Sequence, residues 1–507
     1  MKTIAMYLPQ FHRVKENDEW WGEGYTEWTA VKSAEPLFEG HNQPRVPLHH
    51  NYYDLLEKDT MKWQAKLARQ YGIEGFCFYH YYFKDGKKIL EKPVENFLKW
   101  QDIDMPFCFC WANDTWARTW SKVEDKASWG EKFENRVERT GNGVLLEQDY
   151  GNEAEWEKHF YYLLPFLKDK RYIRYQDRPV FLIYKPQKVY CLLRMVRLWK
   201  VLAKRENIPE IYVIGVNVGD KAPGLDARLM LEPGAHWNID LTGKKAQRQK
   251  ENGVDTYLYK DLLDAAGYIG REDSGKTYLS AVVDYDDTPR RGKNGYCLKG
   301  SDPALFEKKF TEILRESIRR ENEFVFINAW NEWGEGMYLE PDENHGYGYL
   351  EAVAGSLQNI KEDRHNKIDI PYKNECDSQK EMRRELEHLR GHYELLHGWF
   401  QLKEQNRNTG EYLTRNHYDK IAIYGWGVFG KHLYKDLQDT PIKVSCIVDK
   451  NQTEPGVISV EEFLKKIGEI SAVIVTPIYA YAEIYYELSD KIDIPIISLE
   501  EVVMSLL

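Results

Sequence analysis

Eight short, mostly apolar runs recur along the first 330 residues: Lys2 to Leu8, Ile73 to Tyr79, Phe107 to Trp111, Val180 to Tyr184, Ile211 to Val216, Arg228 to Leu231, Tyr278 to Asp284 and Phe324 to Ala329. Runs that do not alternate with polar residues are the pattern of strands buried in a parallel sheet, where helices cover both faces. Between most of them apolar residues return at helical spacing, over Asp59 to Tyr71 with Gly72 as a stop, Glu153 to Leu167, Val189 to Arg205 and Pro303 to Glu321. No clean helix stands between the fifth and sixth runs. Strands alternating with helices over about 360 residues predict an α/β fold of the (β/α)8 TIM-barrel type.

After Leu350 the pattern changes. Residues 363 to 419 are strongly charged, and from Glu381 to Leu402 the residues Met382, Leu386, Leu389, Tyr393, Leu396 and Phe400 fall at helical spacing. This predicts a connecting helix whose apolar stripe either pairs with a second copy, giving a homo-oligomer, or packs on the barrel. A strand over Lys420 to Tyr424 then runs into Gly425-Trp-Gly427-Val-Phe-Gly430 and a helix over Lys431 to Leu437. The next strand, Lys443 to Val448, ends in Asp449, near the spacing at which an acid meets a ribose hydroxyl in dinucleotide-binding folds. Ala472 to Thr476 and Ile494 to Ile497 add strands. The chain therefore divides into a barrel over 1–360, a charged helical linker over 361–418 and a small Rossmann-like α/β domain over 419–507. Gly425, Gly427, Gly430 and Asp449 are candidate contacts for a nucleotide or nucleotide sugar, with a scaffold role as the alternative.

Charge and composition narrow the partners. With Lys+Arg 70 against Asp+Glu 81 and a net charge of −11, there is no electrostatic case for nucleic acid. No window reaches the 18 or more apolar residues that a membrane span requires, and Met1 to Pro9 is too short in apolar residues for a signal peptide, so the expected setting is cytoplasmic. The 7 cysteines lie mostly in strand-like runs and read as buried, reduced thiols. Cys108-Phe-Cys110 lacks the spacing and second ligand pair of a zinc site, so no metal is expected. Aromatic content is 14%, and eight of the 16 Trp fall in the first 120 residues. Rings with apolar faces and polar tips suit stacking on sugars.

Chemistry is expected where the strands stop. The eighth run leads into Trp330-Asn331-Glu332-Trp333-Gly334-Glu335-Gly336. On a regular strand Glu332 and Glu335 would face opposite ways, so both reach one cavity only if the chain bends, which Gly334 and Gly336 permit. Two carboxyls held close suit acid and base work on glycosidic bonds, and their proximity would separate their pKa values. Other strand ends and loops supply candidate sugar contacts: His12; Trp21, Glu27 and Trp28 in an Asn17 to Thr29 loop read as neither linker nor plain helix; His80 and Tyr81; Asn113, Trp116 and Arg118; Asp284; and Asn331 and Trp333 beside the acids. For His12 and His80 the alternative is a hydrogen-bonded structural histidine, for Asn113 and Asp284 a helix cap, and for Arg118 a surface ion pair.

Tyr7-Leu-Pro-Gln-Phe-His12, Asn17-Asp-Glu-Trp-Trp-Gly22, Thr26-Glu-Trp-Thr29, Gly75-Phe-Cys-Phe-Tyr-His80, Trp111-Ala-Asn113 and Ala329-Trp-Asn-Glu-Trp-Gly-Glu-Gly336 together resemble the WbsX family of bacterial surface-polysaccharide proteins, over roughly residues 1 to 360. That family looks like a branch of the fold of glycoside hydrolase family 99, the endo-α-mannosidase barrels. The resemblance implies a barrel that acts on glycosidic linkages and needs no cofactor of its own. It also implies Glu332 as the base that deprotonates the substrate's 2-hydroxyl and Glu335 as the general acid. Asp114-Thr-Trp-Ala-Arg118 departs from the family pattern, which more often continues with Glu-Asn-Trp and paired arginines, and substrate choice is where the change should register. The expected activity is glycosyl transfer in polysaccharide (O-antigen or capsule) biosynthesis on an oligo- or polysaccharide, lipid-linked or free. The alternatives are a retaining endo-glycosidase and a non-catalytic carbohydrate-binding protein.

Overall fold

The computed structural model describes residues 1–117, 144–218, 224–235, 248–265, 275–365, 377–451 and 454–507. They fall into two compact units, Met1–Lys373 and Asn374–Leu507.

The first unit is a closed parallel barrel. Its strands are β1 (Lys2–Tyr7), β2 (Gly75–Tyr82), β3 (Phe107–Trp111), β4 (Arg178–Ile183), β5 (Tyr212–Val216), β6 (Ala227–Met230), β7 (Thr277–Val282) and β8 (Phe324–Asn328). Each pairs in parallel with the next, and β8 returns to β1 with Lys2 opposite Phe324. All eight lie at the apolar runs, because a strand covered on both faces must be apolar on both. Among its helices are α1 (Lys15–Trp21), α2 (Glu27–Ser33), α3 (Lys58–Gln70), α4 (Lys92–Lys99), α5 (Glu153–Leu167), α6 (Leu192–Arg205), α7 (Thr288–Arg291), α8 (Pro303–Arg319) and α9 (Gly348–His365). Among the described residues no helix links β5 to β6.

Side-chain alternation decides what each strand gives to the inside. On β2, Phe78 packs on Phe97 of α4 and His80 bonds to His159 of α5, so the even positions meet the helices. Cys77, Tyr79 and Tyr81 therefore point inward. On β3, Phe109 meets Phe166 of α5, which turns Cys108 and Cys110 to the interior, where all three cysteines are buried free thiols.

The Asn17 to Thr29 stretch, expected to be an irregular loop, holds most of α1 and the start of α2, joined through Gly22 at φ 106°. Short-range polar bonds make the second start: the Thr26 N–H donates to Thr29 Oγ1 at 3.2 Å. Glu27 in the first turn also favours the positive end of the helix dipole.

The second unit is a five-stranded parallel sheet, β9 (Lys420–Tyr424), β10 (Lys443–Val448), β11 (Val457–Ile458), β12 (Ala472–Val475) and β13 (Ile496–Ser498), in the order β11-β10-β9-β12-β13. The glycine-rich turn joins β9 to α11 (Val428–Asp436). The preceding helix α10 (Asp377–Glu404) belongs to this unit: Leu395, Trp399 and Leu402 bury against Ile421, Ile423, Leu433 and Leu499. Its expected stripe lies elsewhere on the helix, with Leu389, Tyr393, Leu396 and Phe400 between 46% and 66% exposed. No described helix is long and apolar enough to cross a membrane.

Candidate active site

Beyond β8 the chain folds back in a tight hairpin, with Asn331 opposite Tyr338 and Glu332 opposite Met337. One 3-10 turn, Trp333–Glu335, brings the two acids to the same side, and Gly336 at φ 67° closes it in the left-handed conformation that glycine tolerates. Gly334 serves differently from the expected bend. A Cβ placed on it would lie 1.7 Å from Glu27 Oε1, so it is a glycine because the Glu27 carboxylate lies against it.

The turn is braced from behind. The Asp286 N–H donates to the Glu335 carbonyl at 2.7 Å, and Arg45 donates from Nη1 to the Gly336 carbonyl at 3.2 Å and from Nη2 to Asp284 at 2.9 Å. Asp286 also accepts from Gln43 at 2.7 Å and from His41 Nε2 at 2.9 Å. The Trp333 indole donates to Glu340 at 2.7 Å and stacks on Tyr338 with ring centres 3.7 Å apart. These residues are buried and fix the backbone from which the acids project. His41, Asp286 and Cys297 lie close enough to share an ion. They do not fit one as they stand: His41 accepts from the Leu37 N–H, His41 and Gln43 donate to Asp286, and Cys297 donates to the Leu298 carbonyl.

In front of the turn stands Arg290 of α7, which the sequence reading did not single out. It donates from Nε to Glu27 at 2.7 Å, grips Glu335 through Nη1 and reaches Glu332 from Nη2 at 3.3 Å. One guanidinium faces three carboxyl groups. Burial pushes the Glu332 carboxyl well above the usual carboxylate range, the neighbouring Glu335 adds to this, and Arg290 opposes it. Burial likewise raises the phenols of Tyr79, Tyr81 and Tyr184, with the two glutamates contributing, so these hydroxyls stay protonated.

The pair opens into a cavity of about 400 Å³, walled by Trp21, Tyr25, Tyr79, Tyr81, Trp116, Tyr184 and Tyr285, with Gln10, Glu27, Asp114, Lys185 and Arg290 as polar groups. The aromatic walls offer stacking faces and the acids meet the cavity at one side, a layout suited to a sugar ring beside an acid–base pair. Asp114 is bound by both Lys185 and Lys188.

Of the residues singled out from sequence, Trp21, Glu27, Tyr81, Trp116, Glu332 and Glu335 line this cavity. The others serve around it. Asn331 exchanges two hydrogen bonds with the Leu8 backbone, at 2.8 and 3.0 Å, and so ties the turn to the end of β1. Asn113 does the same to Lys185, accepting from its N–H at 2.8 Å and donating to its carbonyl at 2.9 Å. Asp284 holds Arg45, Trp333 is fully buried, and Trp28 donates to the Tyr53 carbonyl at 2.8 Å. His12 is buried outside the cavity lining. His80 faces the helix layer, with Nε2 2.8 Å from His159 Nε2 and its pKa pushed down to about 3, chiefly by burial. Arg118 lies outside the described residues. Tyr79, Tyr184, Tyr285 and Arg290 were missed; for the three tyrosines the signal available was their position on or just after barrel strands, which many residues share, and Arg290, in a short helix further on, carried none.

In the second unit Gly425 lies at φ 95°, and a Cβ on Gly430 would lie 2.1 Å from the Gly425 carbonyl oxygen, so both glycines are required for the turn to pack. Gly427 has open space where its Cβ would be. Asp449 accepts from the Trp426 N–H at 2.7 Å and from the Asn451 N–H at 2.9 Å.

Comparison with known proteins adds sequence relationships to this geometry. The protein WxcX from two strains of Xanthomonas campestris pv. campestris, described as uncharacterized, is 32% identical over 361 residues, which is 70% of this chain and 49% of that protein. The chain thus spans about half the length of the curated relatives it matches. Among solved structures, the GH99 endo-alpha-mannosidase from Bacteroides thetaiotaomicron aligns with a TM-score of 0.42 at 12% identity, covering 72% of this chain and 98% of that one. A glycoside hydrolase-like protein aligns at 0.41 and 13%, covering 70% and 93%. The model of the family described as glycosyltransferase WbsX matches residues 3–353, a span that takes in every barrel strand and the acidic turn, and the chain belongs to that family.

Proposed function

We propose that the barrel transfers glycosyl groups in the biosynthesis of a bacterial surface polysaccharide, with Glu332 and Glu335 as its acid–base pair. The observation that carries this reading is the acidic turn: two carboxyl groups on one braced hairpin, bridged by Arg290, facing a cavity walled by aromatic rings. One carboxyl gives a proton to the departing oxygen as the glycosidic bond breaks, and the other takes the proton of the incoming hydroxyl. Tyr81, Trp21 and Trp116 stack on or bond to the sugar, and Glu27 holds Arg290 in place. The acceptor in this reading is an oligo- or polysaccharide, free or lipid-linked.

The same pair favours a second reading, a retaining endo-glycosidase, in which one carboxyl takes the proton of the substrate's own 2-hydroxyl as that oxygen displaces the leaving group, the other protonates the departing oxygen, and water in place of a sugar hydroxyl then opens the intermediate. Incubating the protein with labelled oligosaccharide acceptors and nucleotide sugars, and separately with mannose-type oligosaccharides alone, separates the two by product. Glu332→Gln and Glu335→Gln should each lower turnover by about 10²-fold or more. Unchanged turnover in both variants rejects the pair, and no turnover with any substrate favours a carbohydrate-binding role.

For the second unit the proposed ligand is a nucleotide or nucleotide sugar at the glycine-rich turn. It is supported by the strand–turn–helix context and by the open space at Gly427, the glycine whose bareness lets a backbone approach a pyrophosphate. Asp449, bonded to two backbone N–H groups of its own chain, would serve by shaping the turn.

A further inference from the structure

The charged groups of the cavity fall into two sets of opposite balance. At the acidic turn Glu27, Glu332 and Glu335 share the one guanidinium of Arg290. On the wall formed just beyond β3 and β4 the balance is reversed: Lys185 and Lys188 both donate to Asp114, one carboxyl group between two ammonium groups. Burial works to raise the Asp114 carboxyl, but the two lysines outweigh it and hold it below the usual carboxylate range. The acid is therefore ionised, and one positive charge is left over. The backbone of this wall is fixed. Asn113 bonds to both the N–H and the carbonyl of Lys185, and the Tyr184 N–H donates to the Trp111 carbonyl at 2.9 Å. Tyr184 links the two sets: burial lifts its phenol, and Glu335, Cys110, Glu332 and Asp114 all add to the rise.

Two cations line the cavity among the described residues, Arg290 and Lys185. Arg290 is occupied by three carboxyl groups. Lys185 has three N–H donors and, among the described residues, one carboxyl partner that it shares with Lys188; its side chain is 33% exposed and that of Asp114 12%. Lys188 lies outside the lining and holds Asp114 from there. An ammonium group anchored to a buried acid at a cavity wall, with donors to spare, is suited to an anion.

We propose that Lys185 is a specificity-determining residue that binds the carboxylate of an acidic sugar, of the uronic acid class, in this cavity. This rests on the reading above that the cavity holds a sugar. The match is one charge to one. A phosphate monoester would bring about two negative charges into a cavity already lined by Glu27, Asp114, Glu332 and Glu335. A uronate carboxylate is drawn to Lys185 and repelled by the carboxyl groups of the turn, so the two sets of charges orient the sugar between them. A neutral sugar would use the aromatic walls and leave the surplus charge unmatched.

The test measures binding and needs no turnover, so it stands apart from the acid–base reading. The full chain is titrated at pH 7, with ligand-observed NMR as the readout, against the methyl glycosides of glucuronate, galacturonate and mannuronate, each beside its neutral parent sugar and the 6-phosphate of that parent. At least one uronate should bind about tenfold or more tightly than both its parent and its 6-phosphate. Lys185→Met should abolish that preference while the parent sugars bind as before, and Lys188→Met should keep most of it. A preference that survives Lys185→Met, a 6-phosphate that binds more tightly than its uronate, or no uronate preferred over its parent overturns the proposal. Should Lys185→Met not fold, the comparison of the three ligand classes on wild type decides. If the uronate preference holds while Glu332→Gln and Glu335→Gln both keep full turnover, the acidic-sugar site stands and the acid–base reading falls. If turnover depends on the two glutamates but no uronate is preferred, the acid–base reading stands and this proposal falls.

Discussion

Glu27 and Gly334, far apart in the chain, are in such close contact that a methyl group on the glycine would lie 1.7 Å from the Glu27 carboxylate oxygen. The carboxylate cannot easily step aside, because it is 1% exposed and held by Arg290 at 2.7 Å. Gly334→Ala should therefore push Glu27 off Arg290, destabilise the barrel by about 1–3 kcal/mol and lower activity well beyond that loss of folded protein. Pairing it with Glu27→Ala makes room for the methyl group. Melting temperatures should then recover in the double variant while activity stays low. A Gly334→Ala protein as active and as stable as wild type would show that the close packing is absent in solution.

His80 and Tyr81 are neighbours on β2 with opposite fates, and substitution should separate them. His80→Ala removes a ring stacked on Tyr162 and leaves His159 without its buried partner, at a cost of about 2–5 kcal/mol. Substrate KM should stay within about twofold of wild type in the protein that folds, since His80 faces away from the cavity. Tyr81→Ala should raise KM or lower kcat with a smaller effect on folding. A KM effect confined to His80→Ala would contradict the strand register.

That contrast marks what could be read from sequence. All eight barrel strands and the βα alternation were legible because strands buried on two faces leave apolar runs that few other structures produce. Which residues face inward was not legible at a strand end, where His80 and Tyr81 look equally suited to a sugar and only pairing partners set the phase. Arg290 was invisible for another reason. It sits in a short segment without periodicity, and its meaning arises when folding brings it to Glu27, 263 positions away in the chain. The bend at the acidic turn was anticipated, but the reason for Gly334 lay in a side chain from a different element.

Glu340 gives the barrel a pH dependence. Buried behind the turn, it is pushed up from the ordinary 4.5 to about 7 by loss of solvent, even though Trp333, Gln64 and Tyr53 donate to it. Between those values the folded protein holds a proton that the unfolded chain releases. Its contribution, on the order of 3 kcal/mol, is therefore complete below pH 4.5 and lost as pH rises through 7. Asp287, raised to about 6 by burial, acts with the same sign at lower pH. His80, lowered to about 3, acts oppositely below pH 6.5, so wild type and Glu340→Gln must be compared at each pH. The melting-temperature advantage of wild type should be largest near pH 5 and shrink towards pH 8. A constant difference would mean that Glu340 is ionised throughout.

The two glycines of the second unit separate folding from binding. Gly430→Ala sets a methyl group against the Gly425 carbonyl oxygen, 2.1 Å from the new carbon, and should destabilise the unit by about 3 kcal/mol. Gly427→Ala adds a methyl group in open space at an ordinary φ of −76°, so stability should stay within about 0.5 kcal/mol. If a nucleotide sugar binds over this turn, UDP-N-acetylglucosamine or GDP-mannose should raise the melting temperature of wild type, and Gly427→Ala should lose that rise. A wild type insensitive to both compounds would leave the unit a scaffold.

Helix α10 presents two apolar stripes with different work to do. Leu395, Trp399 and Leu402 are buried in the core of the second unit, so Leu402→Ala or Trp399→Ala should cost about 2–5 kcal/mol through the cavity left behind. Leu389, Tyr393, Leu396 and Phe400 repeat at intervals of four, three and four, which is the spacing of a coiled-coil seam, and all four are exposed. A seam of this kind is self-complementary, so the expected partner is the same helix of a second copy. Sedimentation of the full chain should report a dimer. Leu396→Glu with Phe400→Glu should convert it to a monomer while leaving its melting temperature, read well below the dissociation concentration, close to that of wild type. A wild type that stays monomeric at high micromolar concentration would rule out pairing along this stripe, and the exposed residues would then need another partner.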